Sequence, residues 1–262
     1  MNGDFSNVSH YIIPDQQIKP GVPLEHLKWA GEYAASKHPT RIINIGDGAD
    51  LPSLSSYDVG KKSFEGRTYK ADIEAFKEGM NLFMTPIRKE QAWIKRRKLK
   101  QWHPTLDYFI GNHEDRITRA IETDRKLDGL ISIGDLGLRE FGWNVHDFLE
   151  VRILDGIAYS HYFVSGVMGR PVTSARALVT KKHMSCVMGH VQKAEIDVQY
   201  SAEGRRLTGI FAGCFYQHDE EYLGPQTNKA TWRGVWMLYN VKDGEFTFNN
   251  IPLEFLRKKF GS

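Results

Sequence analysis

Five short segments each follow an apolar run and carry side chains able to bind a divalent cation. They are Asp15-Gln16-Gln17, Gly46-Asp47-Gly48-Ala49-Asp50, Gly111-Asn112-His113-Glu114, Ser160-His161 and Gly189-His190-Val191-Gln192. Asp, Asn, His and Gln each offer an oxygen or an imidazole nitrogen to a metal. Buried strands that repeatedly end on such groups constrain the chain to a layered α/β fold, in which strand ends gather distant loops at one point. A lone Asp-Gly or Gly-His is ordinarily a turn, but five such segments in order point to a metal centre. Gly46, Gly111 and Gly189 each precede a candidate ligand, which suits a backbone that turns sharply while approaching an ion.

The pattern between these segments supports the layered reading. Residues 8–13 read as a strand ended by Pro14, 23–38 as a helix and 41–45 as a second strand, an order that suggests a parallel βαβ unit with a right-handed crossover. In 67–100, Tyr69, Ile73, Phe76, Met80, Phe83 and Ile87 recur at steps of four and three, which draws one apolar stripe along a long helix. Pro86 is expected to kink or split that helix, since proline removes a backbone bond and clashes with the preceding turn. A buried strand follows at 106–110. The second half reads as short strands at 151–154, 157–160, 186–188, 195–200, 207–212, 235–241 and 245–249, interrupted by a helix at 174–182. Asp155-Gly156, Glu203-Gly204 and Asp243-Gly244 mark tight hairpins. With no internal repeat and no long linker, residues 1–262 are expected to form one domain of two packed sheets between helices.

Composition narrows the function classes. The chain is 41% hydrophobic and 26% charged, ordinary for a globular domain, and no apolar run approaches the roughly 18 residues of a membrane span. Met1-Asn2-Gly3-Asp4 lacks the basic start and apolar core of a secretory signal, so a cytoplasmic setting without membrane partners is expected. Cys186 and Cys214 sit in apolar stretches and read as buried thiols, not a disulfide framework. The net charge of +3 is too small to imply a polyanionic partner. Residues 88–100, however, carry seven basic side chains against Glu90 alone, a local net of +6. Arg88, Lys95, Arg96 and Arg97, with Trp93 and Trp102 interleaved, could track a phosphate backbone and stack bases, or form a solvated helix face.

At this point the chain resembles the calcineurin-like metallophosphoesterases, whose pattern runs D-x-H, G-D-x-x-D, G-N-H-E/D, a lone His and G-H-x-H. The second and third elements match in full. The first and last match in part, because Gln17 and Gln192 stand where the pattern has histidines. The wording around Asp47 is similar to phage-encoded members, which would place the protein in a host cytoplasm. The resemblance implies an αββα sandwich and two divalent ions sharing Asp47. One ion would be held by Asp47, Asn112, His161 and His190, the other by Asp15, Asp47, Gln17 and Gln192. Both departures thus fall on one ion. Glutamine keeps a carbonyl oxygen, so that site is either an all-oxygen cage suited to hard cations or a site at which the glutamines bind nothing. Mn²⁺ suits the pair best, with Mg²⁺, Fe²⁺, Ni²⁺ or Zn²⁺ as alternatives.

By the same resemblance, the two ions would activate a hydroxide for in-line attack on phosphorus. His113 would protonate the leaving oxygen or steady the transition state. Asp50 and Glu114 would orient His113 or a ligand, unless they are surface or capping carboxylates. The His218-Asp219-Glu220 cluster lacks a matching second group and is expected at most to touch substrate. The expected function is hydrolysis of a phosphodiester, in DNA, RNA or a nucleotide. A phosphomonoesterase is the alternative within the enzyme class. A non-catalytic phosphate- or nucleic-acid-binding protein with an impaired first metal site is the alternative outside it.

Overall fold

A computed structural model describes residues 8–56, 60, 64–220 and 223–261. The N-terminal residues on which the lack of a secretory start is read lie outside them. Eleven strands form two mixed sheets among the described residues. The first sheet contains β1 (His10–Ile13), β2 (Arg41–Asn44), β3 (Thr105–Phe109), β4 (Asn144–His146), β10 (Gly234–Lys242) and β11 (Glu245–Pro252), in the order β11-β10-β1-β2-β3-β4. Strands β1 to β4 are parallel, and β10 and β11 are added antiparallel. The second sheet contains β5 (Arg152–Leu154), β6 (Ile157–Tyr159), β7 (Cys186–Met188), β8 (Ala194–Tyr200) and β9 (Arg206–Ala212), in the order β5-β6-β7-β9-β8. Here β6, β7 and β9 are parallel.

Side-chain alternation explains the layers, since successive residues of a strand point to opposite faces. Ile12, Ile43 and Phe109 face inward, where they meet Ile157, Tyr159, Val187 and Ile210 of the second sheet. Tyr11, Ile13 and Ile42 face outward, against Leu27, Ala30, Phe76, Met80 and Phe83. These last come from α1 (Glu25–Lys37) and α2 (Tyr69–Arg96). On the far side α4 (Ala175–Lys182) packs Leu178 against Ala158, Cys186 and Phe211. The fold is therefore an α/β sandwich of two packed mixed sheets flanked by helices. Among the described residues the other α-helices are α3 (Arg116–Thr123), α5 (Gly224–Ala230) and α6 (Leu253–Phe260).

Pro86 does not split α2, which runs unbroken from Tyr69 to Arg96. The stripe of Ile73, Phe76, Met80, Phe83 and Ile87 is buried on both sides of the proline. Gly31 lets α1 approach so closely that a Cβ there would lie 2.2 Å from the Phe83 carbonyl oxygen. Burial of that length of apolar stripe outweighs the roughly 3 kcal/mol that an interior proline costs. Two of the hairpin signals have the expected backbone: Asp155-Gly156 and Asp243-Gly244 both have positive φ throughout, as a two-residue primed turn requires. Both cysteines are free and buried, and burial pushes each thiol up to about 12. No helix among the described residues is long and apolar enough to cross a membrane.

Candidate metal centre

The five segments leave the carboxyl ends of β1, β2, β3, β6 and β7, and the two parallel sets bring them to one end of the sandwich. The first two loops are laced together. Gln17 N donates to Asp47 O (2.9 Å), Ile18 N to Gly48 O (2.8 Å) and Asp50 N to Ile18 O (2.9 Å). Glycine is required where the strands approach the ligands: a Cβ on Gly111 would lie 2.1 Å from Asp47 Oδ1, and one on Gly189 would lie 2.4 Å from Asp15 Oδ1. Gln17, Asp47, His190 and Gln192 all adopt the left-handed backbone conformation, with φ of 44°, 52°, 65° and 60°. Such strain in non-glycine residues persists only when the surroundings fix it, and it gathers at functional sites.

Four side chains converge on one point. Asn112 Oδ1 lies 2.9 Å from His161 Nε2 and 2.8 Å from His190 Nδ1, and Asp47 Oδ2 lies 3.4 Å from His161 Nε2. Asp47, His161 and His190 together form a group able to hold a metal ion. Neighbouring ligands of a six-coordinate ion with bonds of about 2.1 Å stand roughly 3 Å apart, so these separations fit a shared cation. His161 carries the decisive detail. Its Nδ1–H donates to the Ile45 carbonyl at 2.9 Å, so a neutral ring aims the Nε2 lone pair at two oxygens. A cation resolves that contact, as a proton or a turned Asn112 amide also would, and metal-binding histidines are characteristically oriented by such a bond on the other nitrogen. Burial disfavours a charged His161, yet the Asp47 carboxylate beside it lifts the ring to about 9. Burial, with His161 next to it, pushes His190 down to about 4.

The other half of the centre is built differently. Asp15 is fully buried; Oδ1 accepts from His190 N at 3.1 Å, while Oδ2 has no hydrogen-bond partner. Burial and the neighbouring Asp47 push its carboxyl up to about 7. Asp47 takes the negative charge of this pair: burial opposes ionisation, but His161 and His113 hold it well below the usual carboxylate range. An orphaned carboxylate oxygen beside a second carboxylate fits a cation. Gln192 Oε1 accepts from Tyr216 OH at 3.0 Å, so this amide oxygen already has one internal partner. Gln17 is fully buried in the same region.

His113 and Glu114 have separable surroundings. His113 Nδ1 donates to Asp50 Oδ1 at 2.7 Å, and Nε2 stands 3.8 Å from Asp47 Oδ2. Burial opposes charge on this ring, but Asp47 and the Asp50 bond raise it above its ordinary value. Burial would raise Asp50, yet His113, Lys19 and Arg116 hold its carboxyl well below the usual range. Glu114 is fully buried, and its carboxylate bonds elsewhere than His113's ring. Its Oε2 accepts from Asp47 N (3.0 Å) and Gly111 N (2.8 Å), its Oε1 from Ala49 N (2.8 Å) and Tyr108 OH (2.7 Å). Glu114 is thus the clamp that fixes the loop bearing Asp47.

A cavity of about 1260 Å³ opens beside the centre, lined by Asp47, Asp50, Asn112, His113, His190 and Gln192. It also brings in Lys19 and Arg116, for which the sequence offered little signal, and His218 and Glu220 of the cluster expected at most to touch substrate. Lys19 Nζ bridges Asp50 (3.0 Å) and Glu220 (2.7 Å), and Glu220 also pairs with His218 at 2.6 Å. Spacing alone could have found Arg116, three residues after His113 at the start of α3; the others meet only in three dimensions.

The basic segment does not belong to this cavity. α2 contributes Ala71 and Asp72 to the lining; at about 1.5 Å per residue, Arg88 stands roughly 24 Å and Lys95 roughly 35 Å further along the axis. Arg96 and Arg97 lie beyond them. Trp102 is buried, with its Nε1 bonded to Pro39 O, so it offers no face to a base. Arg88 and Arg97 instead cover the rings of Phe141 and Trp93.

No protein-family model matches the chain, and no curated protein matches it by sequence. Among solved structures, it is similar to a wild-type Vps29 from Entamoeba histolytica complexed with Zn²⁺. That match has 10% identity and a TM-score of 0.35, over 94% of this chain and 99% of that one. The functional reading therefore rests on the side chains themselves.

Proposed function

We propose that this protein is a metal-dependent phosphoesterase of the calcineurin-like type, acting first on phosphodiesters. The observation that carries the reading is the convergence at His161, whose Nε2 faces Asn112 Oδ1 and Asp47 Oδ2 while Nδ1 is committed to Ile45 O, in a group with Asp47 and His190 able to hold a metal ion. Asp47, Asn112, His161 and His190 would hold one divalent ion, with Mn²⁺ favoured, and Asp15 would hold a second. Ions held there supply Lewis acidity and a nucleophile available near neutral pH. The chain's own residues do the rest. Glu114 fixes the Asp47 loop. Asp50 fixes the tautomer and direction of His113, whose Nε2 faces the cavity and can deliver a proton to a leaving oxygen. The cavity is larger than a phosphate needs and leaves room for a substituent on each side of phosphorus, as a diester requires. The distance of Arg88, Lys95, Arg96 and Arg97 from the cavity removes the support they lent to a nucleic-acid polymer as substrate.

Hydrolysis of bis(p-nitrophenyl) phosphate tests this directly. Mn²⁺ is expected to stimulate it, and His113→Ala to lower kcat by about 10²- to 10⁴-fold, the usual worth of general acid catalysis. Equal rates for wild type and variant across Mn²⁺, Mg²⁺, Ni²⁺ and Zn²⁺ would sink the enzymatic reading. Comparison with p-nitrophenyl phosphate orders diesterase against monoesterase. A one-ion centre is the second reading, favoured by the Tyr216 bond to Gln192 Oε1. Metal analysis of Mn²⁺-saturated protein separates one ion per chain from two.

A further inference from the structure

Arg116 opens α3 and stands on the cavity wall beside His113. Its Nη1 is committed to the turn at 50–51, donating to Asp50 O (2.6 Å), Asp50 Oδ1 (3.2 Å) and Leu51 O (3.4 Å). Its Nη2 has one polar neighbour among the described residues, His113 Nε2 at 3.4 Å. The guanidinium is not needed to neutralise Asp50, which already takes His113 Nδ1 at 2.7 Å and Lys19 Nζ at 3.0 Å. Lys19 is itself consumed by Asp50 and both oxygens of Glu220. Of the two cations around Asp50, Arg116 alone presents N–H groups towards the place where His113 points.

That juxtaposition has a chemical consequence. Nη2 carries two N–H groups, and His113 Nε2, at 3.4 Å, can take at most one of them. An anionic oxygen in the cavity would take the other. Water could do so weakly; a phosphoryl oxygen does so with charge-assisted bonds, the arrangement for which arginine's planar fork is suited.

We propose that Arg116 is a substrate-contacting residue, its Nη2 donating to an oxygen on phosphorus beside the one that His113 serves. The proposal rests on the phosphoesterase reading for its substrate but can be tested without turnover. Inorganic phosphate is titrated into Mn²⁺-loaded wild type, Arg116→Lys and Arg116→Ala. Lysine can still reach the Asp50 carbonyl and brace the loop, but it lacks the second nitrogen. Arg116→Lys is therefore expected to keep Tm and Mn²⁺ affinity, within about twofold, while phosphate binds about 10- to 100-fold more weakly, the worth of one charged hydrogen bond. Where wild type turns over bis(p-nitrophenyl) phosphate, kcat/KM should fall by a similar factor. Added guanidinium should restore part of the loss in Arg116→Ala and none in His113→Ala, which a merely structural role would not produce. Loss of phosphate affinity without any wild-type turnover would support the contact while defeating the phosphoesterase reading. Equal phosphate affinity in all three proteins, including none in any, overturns the proposal.

Discussion

The two ends of the sandwich bury the same residue types and use them differently. In the network that starts at the amino ends of β1 and β2, the amino pole, His10 is bonded through Nδ1 to Tyr159 OH (2.8 Å) and through Nε2 to Asp155 (2.9 Å). Arg41 joins Asp155 (3.3 Å) to Asp107 (2.6 Å), and Asp107 in turn accepts from His146 (2.9 Å). Each acid has a basic partner, and none of these atoms is orphaned. At the carboxyl ends, Asp15 Oδ2 has no partner, His161 aims Nε2 at oxygens, and four ligand-bearing residues hold a left-handed backbone. Residue type does not distinguish a site from a scaffold. Between these two regions completeness of partnering does: the amino pole is finished by the chain itself, and the carboxyl pole keeps a group able to hold a metal ion.

Substitutions at the two poles should therefore diverge. The largest effect is expected for Asp47→Ala, with Mn²⁺ affinity, read by calorimetry, falling at least about 100-fold and hydrolysis falling with it. If Asp47→Ala binds Mn²⁺ as wild type does, the carboxyl pole is not a metal centre. Asp107→Ala should instead lose about 1–3 kcal/mol of stability in denaturant, because it leaves buried His146 without its acceptor and half-buried Arg41 with Asp155 alone. Mn²⁺ affinity of the folded fraction should not change. A shift in metal affinity without loss of stability would contradict the contrast between the poles.

Asp15→Asn should stabilise the chelator-treated protein. The Asp15 carboxyl is raised from 3.8 to about 7, so its charge costs folding free energy that grows as pH rises from 3.8 and is complete above 7, a few kcal/mol in all. The gain in Tm of the variant should be greatest near pH 8, absent below pH 3.8, and reversed by excess Mn²⁺, which stabilises wild type more. A variant less stable than wild type in chelator at pH 8 would count against an unpaired buried carboxylate. At the amino pole the expected effect is smaller and of opposite sign. Burial lowers His10 below 6.5, so stability is lost as pH falls from 6.5 through the folded value, by at most about 1.4 kcal/mol per pH unit. His10→Gln should flatten that slope in pH-dependent unfolding, and an unchanged slope would assign it to other groups.

Much of this contrast was legible in the sequence, on one side only. The five ligand segments stood out because buried strands are near-continuous apolar runs, and a His, Asn or Asp at their exit breaks the pattern. The completed network at the other pole gave no such signal. β4 is a three-residue edge strand with no period, and His146 meets Asp107 only because β3 and β4 pair. Lys19 and Glu220 meet at the cavity through tertiary packing alone, so charge spacing could not join them. The basic run at 88–100 misled for the converse reason: a long helix separates in space what the chain keeps near in sequence. Pro86 does not split α2 because a local penalty is outweighed by burial along the whole helix. The glutamines were visible as departures, and Tyr216 supplies what no spacing could, a partner for one of them.

The most direct measurement is anomalous diffraction from crystals soaked in Mn²⁺. A peak is expected within bonding distance of Asp47, Asn112, His161 and His190, and a second peak beside Asp15 would establish the two-ion centre. If those four side chains remain hydrogen-bonded to one another with no peak between them, the carboxyl pole is as self-sufficient as the amino pole and the account of this protein as a metal-dependent phosphoesterase fails.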